Sequence, residues 1–167
     1  KMKQLQKKIC LLGDFSVGKT SLTRRFVEGK FSDTYLSTVG VKISRRLIEL
    51  PDSSVSMVIW DLAGGDDFLA MRTNYLRGVA GALFVCDLTR PETLETCHQY
   101  KEQLSTINGH EVPSILLANK VDLVAERAIT DEMLKASCLT TYHPHYLTSA
   151  KTGEQVEVAF ASLAEQL

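Results

Sequence analysis

Four cysteines are present, Cys10, Cys86, Cys97 and Cys138, and they form neither a C-x-x-C pair nor a zinc-ligand spacing. That removes a disulfide framework and a zinc module from the function classes to consider. Cys10 and Cys86 sit inside apolar runs, where a reduced cysteine packs as a small hydrophobe, so the expected compartment is reducing and cytoplasmic. Excess charge is lacking too: the net charge is −1, which gives no support to a general nucleic-acid surface. No apolar run is long enough to span a bilayer, and no signal-peptide pattern is visible. There is no internal repeat, no low-complexity segment and no second-domain boundary. His143-Pro144-His145 has no third ligand nearby in the sequence and is not read as a metal site.

What remains is an ordinary globular composition. The chain has 167 residues, 44% of them hydrophobic and 23% charged, enough for one domain, residues 1–167, with a sizeable core. Its most specific stretch is Gly13-Asp14-Phe15-Ser16-Val17-Gly18-Lys19-Thr20, which fits Gly-x-x-x-x-Gly-Lys-[Ser/Thr]. An apolar run precedes it, and a helical pattern, Ser21 to Glu28, follows. Gly13 and Gly18 allow a tight turn, so that successive N–H groups from Ser16, Val17 and Gly18 onward can point at phosphate oxygens. The start of the helix, at Thr20 and Ser21, offers further N–H groups and a positive dipole end. Lys19 can reach the β- and γ-phosphates, and the Thr20 hydroxyl can ligate Mg²⁺. The alternative is an ordinary glycine turn, weakened by the strand-loop-helix context.

The rest of the chain reads as strands alternating with helices. Strands are expected over Lys7 to Leu12, Val41 to Leu47, Val55 to Trp60, Gly81 to Cys86, Ser114 to Ala118 and Tyr142 to Leu147. Pro51-Asp52-Ser53-Ser54 marks a hairpin turn between the second and third. Lys30 to Thr38 reads as a surface loop, and Gly65 to Arg77 as a loop running into a helix. Further helices are expected from Pro91 to about Ile107, over Thr130 to Cys138, and over Thr152 to Leu167. This is an α/β three-layer domain.

Ligands gather at the carboxyl ends of strands in such sheets, and three more polar clusters stand there. Asp61-x-x-Gly64 can hold Mg²⁺ through Asp61 and approach the γ-phosphate through the Gly64 N–H. In Asn119-Lys120-x-Asp122, the carboxylate can accept from a guanine's N1–H and exocyclic amine, a donor pair that adenine lacks. Lys120 can lie along the base, and Asn119 can tie this loop to others. In Ser149-Ala150-Lys151, the Ala150 N–H can donate to guanine O6. Alone, each of these has a bland reading as a solvated strand end; together with the phosphate loop they do not.

The four clusters in this order resemble the Ras superfamily of small GTPases, from about Lys7 to the end, and the Rab branch looks nearest. The resemblance implies the P-loop NTPase fold: a six-stranded, mostly parallel sheet with one antiparallel edge strand and helices on both faces. It implies a GTP/GDP-binding switch, Mg²⁺, slow GTP hydrolysis and a monomer. Tyr35 to Val41 is similar to the first switch, and Trp60 to Gly64, followed by Phe68 and Tyr75-Leu76-Arg77-Gly78, to the second. Thr38 would ligate Mg²⁺ beside Thr20 and Asp61, Phe31 would lean on the guanine, and Tyr35 would join the nucleotide site. Lys19, Thr38, Gly64 and Gly65 would surround the reacting γ-phosphate. Ile43, Trp60 and Tyr75 would present effector and regulatory proteins with a docking surface.

The sequence also departs from that pattern. Gly65 stands where the family usually has glutamine, followed by Asp66 and Asp67. Phe15 stands where a small residue is usual, and Ile43 replaces a Rab phenylalanine. The chain opens on Lys1 and ends Ala164-Glu165-Gln166-Leu167 without a prenylatable cysteine. A trimmed Rab, an unanchored relative and a domain from a longer chain all fit, and membrane association is expected only if a lipidated tail is missing. Two rivals stay open: a nucleotide-bound interaction module without turnover, and a small-molecule P-loop kinase. Asn119-Lys120-x-Asp122 argues against the kinase.

Overall fold

In the computed structural model, which describes residues 3–29, 40–62, 73–141 and 144–167, each expected strand is present. The strands are β1 (Lys3–Leu12), β2 (Val41–Glu49), β3 (Ser53–Leu62), β4 (Gly81–Asp87), β5 (Ser114–Asn119) and β6 (His145–Leu147). The helices are α1 (Lys19–Glu28), α2 (Glu92–Asn108), α3 (Asp131–Thr141) and α4 (Val156–Glu165). Residues 73–76 are helical as well. A short 3-10 turn, Val124–Glu126, was not expected from the sequence.

The sheet runs β2-β3-β1-β4-β5-β6, antiparallel only where β2 meets β3. Strand alternation distributes its side chains to two cores. Ile9 and Leu11, Leu83 and Val85, and Ile115 and Leu117 face one layer, where they meet Phe26 of α1 and Phe160 and Leu163 of α4. Cys10 and Leu12, Phe84 and Cys86, and Leu116 and Ala118 face the other, where they meet Leu94, Cys97 and Leu104 of α2. Burial on both faces is why β4 and β5 read as continuous apolar runs. Phe26 and Phe160 stack with centroids 4.0 Å apart, joining α1 to α4. Cys10, Cys86 and Cys97 are buried free thiols, and burial pushes the Cys10 thiol up to about 12.

Several boundaries differ from the sequence reading. β1 begins at Lys3 because its mostly polar first half pairs with Ser53–Ser56 of β3, where Leu5 lies opposite the buried Val55. α1 begins at Lys19, with Gly18 as its left-handed cap. α4 begins at Val156, not Thr152. The intervening residues form a turn, with Gly153 and Gln155 at positive φ and Gly153 N–H donating to the Ser149 carbonyl. β6 begins at His145 among the described residues. Among those residues no helix is long and apolar enough to cross a membrane.

Register brings the chemistry to one edge of the sheet. Leu11 lies beside Asp61, Leu12 beside Phe84, Asp87 beside Asn119, and Ala118 beside Leu147. The described residues of the four polar clusters lie at or just after strand ends: Gly13 after β1, Asp61 in β3, Asn119 in β5 and Ser149 after β6.

Candidate functional site

The two loop glycines serve different needs. Gly18 sits at φ 104, a conformation that L side chains rarely adopt. Gly13 is needed for space: a Cβ there would lie 2.3 Å from the Val85 carbonyl oxygen, so β4 packs directly on the loop's first residue. Between them Ser16 takes φ 60, a left-handed position that a non-glycine residue occupies at some cost.

Lys19 is buried, and its ammonium donates to the Gly13 carbonyl at 3.0 Å and the Asp14 carbonyl at 3.1 Å. It is therefore held across the loop from which it emerges. Thr20 and Ser21 are buried in the first turn of α1. The Thr20 hydroxyl donates to Asp61 Oδ2 at 2.6 Å, bringing the phosphate loop to the end of β3. A hydroxyl and a carboxylate in contact are an all-oxygen pair, the donor chemistry that suits Mg²⁺ with retained waters. The hydroxyl oxygen keeps lone pairs for an ion while its O–H points at Asp61. The residues present thus fit that metal. Thr38, the third expected ligand, lies outside the described residues, as do Phe31, Tyr35, Gly64 and Gly65.

The base-recognition cluster is assembled from two strand ends. Asn119, fully buried, donates from Nδ2 to the Val17 carbonyl at 3.0 Å and accepts from the Thr148 hydroxyl at 3.1 Å. It ties β5 to the phosphate loop and to the end of β6. Lys120, at φ 69, donates to the Ser16 carbonyl at 2.8 Å. The Ser149 hydroxyl donates to Asp122 Oδ1 at 2.8 Å and accepts from the Thr152 N–H at 3.0 Å, which orients the carboxylate. Ala150 is buried and Lys151 exposed. Arg25 of α1 bonds both their carbonyls, through Nε to Ala150 at 3.0 Å and through Nη2 to Lys151.

Three contributors escaped the sequence reading: Arg25, Asp87 and Arg90. Asp87 ends β4 as Asn119 ends β5, so a polar residue closing an apolar run was the available signal. Its buried carboxylate accepts from the Thr89 N–H at 2.8 Å and hydroxyl at 2.7 Å, and pairs with Lys120 at 2.9 Å and Arg90 at 3.1 Å. Burial alone would raise its pKa. Thr89, then Lys120, outweigh burial and hold it below the ordinary value.

Phe15 projects from the loop with 53% of its surface exposed. On the other flank, Ile43 and Trp60 are directly opposite in the β2–β3 ladder, and Tyr75 lies 5.6 Å from Trp60 between ring centroids. Trp60 is half-buried, with the Lys8 ammonium 4.2 Å above its ring. Gln6, Lys7, Lys8, Ile43, Arg45 and Val58 surround it in a groove of about 600 Å³.

Comparison with known proteins agrees with this geometry. The model of the Ras family matches residues 8–167. The chain is 34% identical to the Ras-related protein Rab-1A of Dictyostelium discoideum over 160 residues, covering 96% of this chain and 79% of that protein. It is 33% identical to the Ras-related protein Rab-13 of Rattus norvegicus and 32% identical to the GTP-binding protein YPTM2 of Zea mays, with the same coverage. A phosphate loop, the Asp61 and Asn119-Lys120-x-Asp122 clusters and a family match across nearly the whole chain converge: the chain belongs to the Ras family, as a Rab-like small GTP-binding protein.

Proposed function

We propose that this chain is a guanine-nucleotide-dependent switch that binds GTP or GDP with Mg²⁺, hydrolyses GTP slowly and works as a single-domain monomer. The observation that carries the reading is the Thr20–Asp61 contact beside Lys19, on the same sheet edge as the Asp122–Ser149 pair. Asp122, oriented by Ser149, selects guanine through its two donors. Gly13, Ser16, Val17, Gly18 and Ser21 supply the backbone cradle, and Lys19 exchanges its carbonyl partners for phosphate oxygens. Thr20 and Asp61, with Thr38, hold Mg²⁺, which when bound neutralises charge building on the β- and γ-phosphates. Thr38, Gly64 and Gly65 complete the γ-phosphate side, and Phe31, Tyr35, Lys120, Ala150 and Lys151 complete the nucleotide site. Ile43, Trp60 and Tyr75 receive effector and regulatory proteins; two of the three are well exposed and all are contiguous.

A second reading, a nucleotide-bound interaction module without turnover, is favoured by the exposed Phe15 ring and by Gly65 in the glutamine position. One experiment tests both. The nucleotide that copurifies is identified, and bound GTP is followed in a single turnover. Guanine nucleotide with slow decay supports the switch, guanine nucleotide with no decay supports the module, and an adenine nucleotide overturns both.

A further inference from the structure

Three successive carbonyls of the phosphate loop each accept a side-chain donor from outside the loop. The Phe15 carbonyl accepts from Arg90 Nη2 at 2.6 Å, the Ser16 carbonyl from Lys120 Nζ at 2.8 Å and the Val17 carbonyl from Asn119 Nδ2 at 3.0 Å. In a planar trans peptide the C=O and the next residue's N–H point in opposite directions. Drawing these carbonyls toward the three side chains therefore turns the N–H groups of Ser16, Val17 and Gly18 the other way. Those are the groups from which an anion cradle is made.

Asn119 and Lys120 belong to the base-recognition cluster, but Arg90 does not. It lies in the turn after β4, and its guanidinium makes two contacts at once: Nε to Asp87 Oδ2 at 3.1 Å and Nη2 to the Phe15 carbonyl. Asp87 Oδ2 also pairs with Lys120 at 2.9 Å. One buried carboxylate thus anchors two cations that grip adjacent carbonyls of the loop. Asp87 is in turn fixed by Thr89, so the whole assembly rests on the end of β4.

We propose that Arg90 is a positioning residue for the phosphate loop: braced on Asp87, it holds the Phe15–Ser16 peptide so that the Ser16 N–H faces the phosphates. This rests on the nucleotide reading above. The competing account is that Arg90 only neutralises Asp87. A lysine in its place would satisfy that role as well, whereas Arg90 reaches its two acceptors through two separate nitrogens, Nε to Asp87 and Nη2 to the Phe15 carbonyl, a span that a single ammonium at this position does not offer. The peptide that Arg90 holds also carries the exposed Phe15 side chain.

The test compares the parent with Arg90→Ala and Arg90→Lys. Two readouts are used: amide exchange at Ser16 and Val17 in the protein as purified, and the release rate of a fluorescent GDP. For Arg90→Ala the expected result is faster exchange at Ser16, with the amides of α2 unchanged. GDP release should be roughly tenfold faster, the scale of losing one charge-assisted hydrogen bond. Guanidinium at millimolar concentration, too dilute to denature, should restore much of this, and Arg90→Lys should restore little. Parental exchange and release in Arg90→Ala, or full restoration by Arg90→Lys, overturns the proposal. If the parent holds no guanine nucleotide, the nucleotide reading fails, while the Ser16 exchange difference still decides whether Arg90 orders the loop.

Discussion

The Thr20 hydroxyl and the Asp61 carboxylate meet at 2.6 Å although 41 residues separate them in sequence. One belongs to the first turn of α1 and the other to the end of β3. The parallel pairing of β1 with β3, with Leu11 beside Asp61, brings them together. Their contact marks the side of the site proposed to hold Mg²⁺.

The first prediction follows from that pair. A chelator should accelerate release of bound GDP if Thr20 and Asp61 hold Mg²⁺ as proposed. Thr20→Ala should release GDP quickly with or without chelator. Thr38→Ala should leave GDP binding nearly intact and act only in the GTP state. Equal release rates for the parent in magnesium and in chelator would remove the metal from the site.

On the proposed reading, base choice rests on Asp122 and its partner Ser149. An ionised carboxylate facing adenine would forfeit two charge-assisted bonds, each worth about 1.5–3 kcal/mol. GDP should therefore outcompete ADP by at least about a hundredfold. Asp122→Asn should move preference toward xanthine nucleotides. Ser149→Ala should weaken guanine binding severalfold, since the carboxylate loses the 2.8 Å bond that orients it. Competition titrations measure all three, and comparable ATP and GTP affinity in the parent would refute the assignment.

Asp87 gives the stability a pH dependence. Its folded pKa is lowered, because the Thr89 and Lys120 interactions outweigh the burial that would raise it. The unfolded carboxyl, at about 3.9, takes up a proton first as pH falls. The stabilisation is thus complete above that value and is lost as pH drops toward the folded pKa. Asp87→Asn should cost about 1–3 kcal/mol at pH 7, the range for unmaking buried hydrogen bonds. Urea midpoints of parent and variant should run parallel from pH 7 to 5 and converge below about pH 4. A gap that persists unchanged to pH 3 would show that Asp87 is not the group responsible.

The positions of β4 and β5 were legible because burial on both faces leaves an unbroken apolar run, and the phosphate loop was legible because its spacing is rigidly prescribed. Asn119 and Asp122 could be read from the same logic. Arg25 and Arg90 could not: each acts on a backbone carbonyl far away in sequence, Ala150 and Phe15 respectively, and a carbonyl leaves no mark in the residue code. The first half of β1 was hidden for a related reason. Lys3-Gln4-Leu5-Gln6 is polar at three of four positions, and its strand character comes mainly from pairing with β3. Gly13 was expected to serve the turn, yet it is the proximity of the Val85 carbonyl that excludes a side chain.

The last prediction concerns rate and joins Phe15 to Gly65. In-line attack on the γ-phosphate needs an oriented water, and the glutamine usual at the Gly65 position orients it. Gly65 has no side chain with which to do so. Phe15 sits in the phosphate loop with 53% of its surface exposed, and its peptide is held by Arg90. On the proposed reading, a ring on this loop would crowd the attacking water and any arginine brought by a partner. Intrinsic hydrolysis should then be no faster than the order of 10⁻⁴ s⁻¹ of unassisted Ras. Each further tenfold loss corresponds to about 1.4 kcal/mol of barrier. Gly65→Gln alone should gain little if the ring crowds the water as proposed. Phe15→Gly alone should gain little, because nothing yet orients the water. The double variant should exceed the product of the two single gains. Single-turnover rates for the parent, both singles and the double measure that coupling. A parent rate well above 10⁻⁴ s⁻¹ would overturn the slow-switch reading, and multiplicative gains would show that the two positions act independently.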